Sequence, residues 1–309
     1  MKKLICILLS VVVCMSILTG CENNDVLDAH EQDAKKIIFV GNSYTYYGET
    51  VLEVPQGLYD QDERKNDEGF FYQLCKANGM EVEVTNWTIG GHSIEDLLGN
   101  NCKANRGCDG TDHVSYLTDR EYDYVVLQYG RKTAPDGDVL QICKPAMEIF
   151  KEANPDVKFL FLVQYPVHTK SYEWRSSIKN LESENITVVD WGALVADVMT
   201  GVVDVPGATL DYSSSSFVVG KSQNDGYHPN PLTGYITTLM TYCAITGESA
   251  VGQSYSFVEE PMPFDLFKTM YYTYNPVTNF DKAFKSESDM KGIQTLIDQY
   301  LEAKSYRNY

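Results

Sequence analysis

Short apolar runs alternate with amphipathic helical patterns along most of the chain. Five runs predict strands, at residues 37–40, 80–85, 123–128, 157–163 and 186–190. Helical patterns lie between and after them, at residues 70–78, 139–153, 174–183, 233–245 and 290–301. This alternation is typical of a parallel sheet with crossover helices. The sequence therefore predicts an α/β fold, a three-layer α/β/α sandwich around a five-stranded parallel sheet.

The first 21 residues have a pattern unlike the rest of the chain. Lys2 and Lys3 precede an apolar run over residues 4–18, which has about the length of a signal peptide and is short for a membrane span. The run ends in Leu18-Thr19-Gly20-Cys21, which resembles the lipobox of bacterial lipoproteins. The resemblance implies a lipid anchor on Cys21 that holds the protein at the extracytoplasmic face of the cell membrane. A transmembrane anchor is the alternative.

After this segment, the polar residues 22–34 predict a flexible tether. Neither an internal repeat nor a clean linker interrupts the remainder of the chain. We therefore expect a single domain over residues 35–309, ending in a C-terminal helical extension.

Charge and cysteine content narrow the possible functions. The formal net charge of −18 argues against nucleic acid, because phosphate binding needs a basic groove. Cys102 and Cys108 bracket a polar loop and could form a small disulfide, whereas a metal site is not expected there, because the spacing is not CxxC and no nearby histidine completes a zinc pattern. Cys75, Cys143 and Cys243 have apolar neighbours and are predicted to be buried thiols.

Ser43 directly follows the first predicted strand, after Gly41-Asn42. Ligands of open α/β sheets bind at the carboxyl ends of the strands, so a serine hydroxyl there is a candidate nucleophile. The alternative is that Asn42 or Ser43 only caps the helix that comes next.

Asp225-Gly226-Tyr227-His228-Pro229 is the second candidate motif. A carboxylate three residues before a histidine can hydrogen-bond the imidazole and stabilise the imidazolium, as the base of a serine nucleophile requires. A surface aspartate beside an incidental histidine, or an Asp/His metal pair, is the alternative. His92 follows a Gly-Gly pair, and we expect a structural or substrate-facing role for it.

Taken in order, these blocks resemble the SGNH (GDSL-like) hydrolase superfamily, in a branch with Gly-Asn-Ser in place of Gly-Asp-Ser. The resemblance covers about residues 35–247 and implies a flavodoxin-like hydrolase fold. It implies Ser43 as nucleophile, His228 as general base and acid, and Asp225 as the orienting carboxylate. The implied oxyanion-hole donors are the N–H groups of Ser43 and Gly91 and the side-chain amide of Gln128. The third block departs from the common Gly-x-Asn-Asp, since Gln128 must supply the amide.

The resemblance further implies an extracytoplasmic serine esterase that works through an acyl-enzyme, without metal or cofactor. A carbohydrate O-acetyl ester is the leading substrate; arylesterase, lipase or thioesterase activity is the alternative within the class. Asn42, Tyr44 and Tyr129 are expected to contact the substrate, although aromatic side chains are more often part of a core. We expect a monomer. A non-catalytic glycan- or peptide-binding lipoprotein on a degenerate scaffold is the rival hypothesis.

Overall fold

The structure is a computed structural model of the chain. It describes residues 33–47, 50–53, 66–98, 117–129, 138–164, 177–212, 217, 228–258 and 280–303. The chain divides into two compact units, Met1–Asp33 and Ala34–Tyr309, and the helices and strands named in this section belong to the second. The signal segment, most of the tether, Cys21, Cys102 and Cys108 lie outside the described residues, so those predictions remain predictions.

Five parallel strands form one sheet in the order β2-β1-β3-β4-β5. They are β1 (Lys35–Gly41), β2 (Val82–Thr88), β3 (Tyr124–Gln128), β4 (Lys158–Leu162) and β5 (Ile186–Val189). All five predicted strands are confirmed, but β2 begins two residues later and ends three residues later than residues 80–85. In the register, Gly41 pairs with Thr88 and Val40 with Leu127. The carboxyl ends of β1, β2 and β3 therefore meet at one edge of the sheet.

Helices cover both faces of this sheet. They are α1 (Ser43–Tyr46), α2 (Phe70–Ala77), α3 (Ile94–Leu98), α4 (Val139–Ala153), α5 (Trp191–Met199), α6 (Pro231–Thr246), α7 (Phe280–Ala283) and α8 (Glu287–Ala303), with 3-10 helices at Lys179–Glu184 and Ser256–Val258. Ile37 and Phe39 pack into a core that contains α2, α5, α6 and α8 side chains. Ile38 and Val40 pack into a separate core with α3 and α4. Since alternate residues of β1 serve opposite faces, the three-layer α/β/α prediction is confirmed.

Local capping explains where the helices begin. Asp138 caps α4, its Oδ1 accepting from the Leu140 N–H at 3.0 Å, and α4 spans the predicted residues with Pro145 inside it. Asn230 caps α6, its Oδ1 accepting from the Thr233 N–H at 3.1 Å. Pro231 is thus the first helical residue, and α6 begins two residues before the prediction.

Two segments differ from the sequence-based expectation. Helix α5 was not predicted, because Trp191 to Ala196 are all buried and leave no one-sided pattern. The helix predicted at 174–183 lies partly outside the described residues, and its described part overlaps the 3-10 helix Lys179–Glu184. The buried-thiol prediction is confirmed, with Cys75, Cys143 and Cys243 at 0, 0 and 4% exposure. Across the described ranges, no helix has both the length and the apolar content to cross a membrane.

Candidate active site

The sequence left open whether Ser43 is a nucleophile or whether Asn42 or Ser43 only caps the next helix. Asn42 caps α1: its Oδ1 accepts from the Tyr44 N–H at 3.1 Å, and its carbonyl accepts from the Thr45 N–H at 2.9 Å. Ser43 is the first helical residue and is only partly buried. The cap role belongs to Asn42, which leaves the Ser43 hydroxyl available for another partner.

That partner is His228, which lies 185 residues further along the chain. Ser43 Oγ and His228 Nε2 are 2.9 Å apart, so the hydroxyl donates to the imidazole when Nε2 carries no proton. His228 stands shortly before Asn230 and α6, and α6 packs closely against the segment after Ser43. A Cβ on Gly234 would lie 2.3 Å from the Thr50 Cβ, so glycine permits this approach. Helix α6 therefore brings His228 to the carboxyl end of β1.

Two tyrosine rings of the Ser43 segment contact the imidazole. The Tyr47 ring stacks on His228 with centroids 4.2 Å apart and planes inclined by 11°. The Tyr44 ring is tilted at 33°, with its centroid 5.4 Å away. The imidazole is thus fixed by aromatic contacts as well as by Ser43.

The turn after β2 lies against the residue that precedes Ser43. Asn42 Nδ2 donates to the His92 carbonyl at 2.9 Å, and the His92 N–H closes the turn on the Ile89 carbonyl at 3.2 Å. Gly91 has φ +73°, a left-handed conformation that favours glycine. The backbone around Gly91, the predicted oxyanion-hole glycine, is therefore tied to the Ser43 turn through Asn42.

His92 itself has a structural role. Its side chain is 3% exposed, and its Nδ1 lies 3.1 Å from the Gly90 carbonyl, which requires Nδ1 to carry the proton. Nearby, burial raises the pKa of Tyr46 to about 12, so this phenol stays neutral and does not compete with His228 as a base. Of the two expectations for His92, the structure favours the structural one.

Gln128 ends β3 and is 1% exposed. Its Oε1 accepts from the Asn42 N–H at 3.4 Å, and its Nε2 donates to the Tyr129 carbonyl at 2.9 Å. A Cβ on Gly41 would lie 2.9 Å from that Oε1, so the glycine before Asn42 makes room for Gln128. The amide is held beside the Ser43 turn, with one of its two hydrogens already donated to Tyr129.

The three residues predicted to contact the substrate belong to the framework of the site. Asn42, Tyr44 and Tyr129 are 0, 3 and 3% exposed, and their contact with a substrate stays a prediction. The Asn42 side chain hydrogen-bonds Tyr44 and His92, and the Tyr129 carbonyl accepts a hydrogen bond from Gln128. Asp225 lies outside the described residues, and its orienting role stays a prediction.

Two residues of this framework were not assigned their parts from the sequence. Tyr47 lies four residues after Ser43, and nothing in the sequence beyond that position indicates that its ring stacks on His228. Gln164 was not singled out. It follows β4, is fully buried and donates through Nε2 to the Tyr129 carbonyl, the same acceptor that Gln128 uses. A lone polar residue at the end of the apolar run 159–163 was the available signal.

Among the described residues, no group of three or more histidine, cysteine, aspartate or glutamate side chains is arranged to hold a metal ion. The chemistry that the described residues can support is that of a serine hydroxyl paired with an imidazole base, beside a glycine turn and a buried amide.

Comparisons with known proteins give structural similarities only. No protein-family model and no curated protein sequence matches the chain. A member of the lipolytic protein G-D-S-L family from Veillonella parvula matches at 16% identity with TM-score 0.38, over 69% of this chain and 97% of that one. A Clostridium thermocellum family 3 carbohydrate esterase matches at 13% identity with TM-score 0.42, over 68% of this chain and 94% of that one.

A carbohydrate esterase family 3 protein from Talaromyces cellulolyticus matches at 11% identity with TM-score 0.42, over 66% of this chain and 92% of that one. Similarity at this level assigns no activity to the chain. A proposal of function therefore rests on the geometry around Ser43.

Proposed function

We propose that this protein is a serine hydrolase that cleaves esters through an acyl-enzyme intermediate. The observation that carries the proposal is the 2.9 Å contact between Ser43 Oγ and His228 Nε2. A serine hydroxyl is a weak nucleophile at neutral pH and needs an adjacent base, and this imidazole nitrogen is within the distance at which a base can act.

In the first half of the reaction, Ser43 Oγ attacks the ester carbonyl while its proton passes to His228 Nε2. The tetrahedral intermediate carries a negative oxygen, for which the N–H groups of Ser43 and Gly91 and the second hydrogen of the Gln128 amide are the proposed donors. His228 then gives the proton to the leaving alcohol, and Ser43 stays acylated.

In the second half, His228 takes a proton from water, and the resulting hydroxide attacks the acyl group on Ser43. Collapse of this second intermediate returns the proton to Ser43 and releases the carboxylic acid. Asp225 is the proposed partner of the imidazole on its other nitrogen, where a carboxylate fixes the tautomer and stabilises the imidazolium.

A carbohydrate O-acetyl ester is the proposed substrate, and the extracytoplasmic face of the membrane is the proposed place of action. The substrate class follows the resemblance of the four sequence blocks. The location follows the lipobox ending at Cys21, since an enzyme anchored there meets polymers outside the cell. Both go further than the geometry of Ser43 and His228, so each needs its own measurement.

The decisive experiment treats the purified protein with a fluorophosphonate probe and measures acetate release from p-nitrophenyl acetate and from acetylated oligosaccharides. Labelling and turnover are expected for the wild type and for Ser183→Ala, which changes an exposed serine far along the chain. Both are expected to be lost in Ser43→Ala, with turnover reduced on the order of ten-thousandfold or more.

Absence of labelling together with absence of Ser43-dependent turnover would refute the enzyme and favour the rival, a glycan- or peptide-binding lipoprotein. Turnover of the aryl ester but not of acetylated sugars would keep the hydrolase and reject the carbohydrate substrate. Metabolic labelling with a fatty acid analogue, compared between wild type and Cys21→Ala, tests the anchor separately.

A further inference from the structure

His228 is held by an aromatic surface that belongs to the same short segment as Ser43. The Tyr47 ring stacks on the imidazole at 4.2 Å with an 11° inclination, and the Tyr44 ring lies at 5.4 Å. Residues three positions apart lie on one side of a helical turn, so α1 and its cap present both rings in one direction. The nucleophile and the surface that supports its base are thus built from five consecutive residues.

The backbone that carries Tyr47 is fixed at both of its polar groups. The Tyr47 N–H donates to the Ser43 carbonyl at 2.8 Å, and the Tyr47 carbonyl accepts from Thr50 Oγ1 at 3.0 Å. Thr50 in turn lies in close contact with Gly234 of α6, the helix that follows His228. Tyr47 is therefore tied to the nucleophile on one side and to the helix of the base on the other.

An imidazole needs such support because the torsion that turns its ring is soft. For histidine this last torsion has a broad energy profile, so the side chain alone does not keep Nε2 directed at a neighbour. A flat ring parallel to the imidazole restricts that rotation. Its electron-rich face also favours the imidazolium that forms while the tetrahedral intermediate exists.

We propose that Tyr47 is a positioning residue for the reaction: its ring, stacked on His228, keeps Nε2 directed at Ser43 Oγ through both proton transfers. The inference rests on the proposed function and adds a residue to it. Because the stacked face does the positioning, an aromatic ring without the hydroxyl is sufficient at this place, whereas an aliphatic side chain of similar volume is not.

The experiment compares Tyr47→Phe, Tyr47→Leu and Tyr47→Met with the wild type by steady-state kinetics on p-nitrophenyl acetate. Tyr122→Leu is the matched control, because Tyr122 is also a buried tyrosine, 4% exposed, with an edge-on contact to Phe150 at the other end of β3. Tyr47→Phe is expected to keep kcat within about twofold, while Leu and Met lower kcat on the order of tenfold with little change in KM. Met is included because it fills the space flexibly if Leu impairs folding.

A second measurement reads the geometry without turnover. The His228 ring protons, assigned by comparison with His228→Gln, are expected to show an upfield ring-current shift in the NMR spectrum. The shift should persist in Tyr47→Phe and disappear in Tyr47→Leu and Tyr47→Met.

The outcomes separate this inference from the proposed function. A wild type without Ser43-dependent turnover overturns the proposed function, and the positioning role falls with it. An active wild type whose Tyr47→Leu and Tyr47→Met variants keep kcat overturns the positioning role alone. So does an equal loss of kcat in Tyr122→Leu, or an unchanged His228 ring-current shift in Tyr47→Leu.

Discussion

Two fully buried polar side chains, Asn42 beside the candidate nucleophile and Asp289 in the first turn of α8, solve the same problem with different chemistry. Both are 0% exposed, and both connect segments that are distant in sequence. Asn42 accepts from the Tyr44 N–H and donates to the His92 carbonyl. A neutral amide can do both, which a carboxylate cannot do while it is ionised.

Asp289 only accepts. Its carboxylate receives the Thr209 N–H at 2.9 Å, the Thr209 hydroxyl at 2.8 Å, the Tyr212 hydroxyl at 2.9 Å and the Ser286 hydroxyl at 2.7 Å. Burial by itself would raise the pKa of Asp289, but the hydrogen bonds from the Thr209 backbone, Ser286 and Tyr212 outweigh it and lower the pKa to about 2. Burial and the hydrogen bond to the Asp289 carboxylate raise the pKa of Tyr212.

The difference is instructive about where a charge is tolerated. At α8 the Asp289 carboxylate has enough hydrogen-bond donors to remain ionised in the interior, so it links α8 to residues 209–212. Beside Ser43, the described residues include three buried amides, Asn42, Gln128 and Gln164. An amide fixes the backbone around Ser43 without adding a charge beside the oxygen that becomes negative during the reaction.

The largest effect is expected for Gln128→Leu, which removes an amide from the active-site framework. We expect kcat to fall on the order of a hundredfold to a thousandfold, as for loss of one oxyanion-hole donor. The control is Gln294→Leu in α8, since Gln294 is also a buried amide, which donates to Tyr235 and to the Gln253 carbonyl.

Both variants lose buried hydrogen bonds, so both should be less stable in urea. Only Gln128→Leu should lose turnover per folded molecule, measured as kcat after active-site titration with the fluorophosphonate. If its kcat stays within about threefold of the wild type, Gln128 is not an oxyanion-hole donor.

The second prediction concerns how the stability of the folded protein changes in acid, which depends on Asp289. At neutral pH this carboxyl is ionised in both states, and its stabilising effect is complete. As the pH falls from about 4 to about 2, the unfolded chain binds a proton before the folded protein does, so stability is lost. A folded pKa of about 2 against the ordinary 3.8 corresponds to about 2.5 kcal/mol.

Urea unfolding from pH 7 to pH 3 tests this, with Asp289→Asn beside the wild type. The variant should be less stable at pH 7, and the gap between the two proteins should narrow as the pH approaches 3. Many other carboxylates titrate in this range, but they are common to both proteins. A gap that does not change with pH would show that Asp289 is not the group with the lowered pKa.

The fold could be predicted from the sequence because each strand carries its own local signal. The run 37–40 is continuous and apolar, and Gly41-Asn42 ends it, so β1 and the place of Ser43 follow directly. Helix α5 has no such signal, since the residues from Trp191 to Ala196 are buried on every side. The later end of β2 was missed because Asn86 interrupts the apolar pattern, although its side chain is buried and donates to the Glu53 carbonyl.

The candidate site was predictable only in part, because only some of its residues carry a local signal in the sequence. Ser43 and His228 each belong to a recognisable motif next to a predicted strand or helix, and the structure brings them together. The framework around them depends on side-chain directions, which motifs do not give. Asn42 and Tyr44 flank Ser43, and the motif alone does not show that both side chains are buried.

The smallest of the three effects tests whether the amide at Asn42 is required, using Asn42→Asp. Aspartate caps helices as well as asparagine, so the contact with the Tyr44 N–H should survive. The donation to the His92 carbonyl is lost, and an acceptor then faces an acceptor in a buried place. With the Gly91 turn no longer held, we expect kcat to fall roughly thirtyfold, equivalent to about 2 kcal/mol, at nearly constant KM.

Asn154→Asp is the matched control, because Asn154 combines the same two roles away from Ser43. It donates to the Tyr122 carbonyl at 2.9 Å and accepts from the Asp156 N–H at 3.0 Å. Its substitution should lower the urea midpoint and leave kcat unchanged. If Asn42→Asp behaves in the same way, the choice of an amide beside Ser43 reflects stability alone. If it lowers kcat while Asn154→Asp does not, the neutral framework is a requirement of the reaction, because both variants lose the same kind of hydrogen bond.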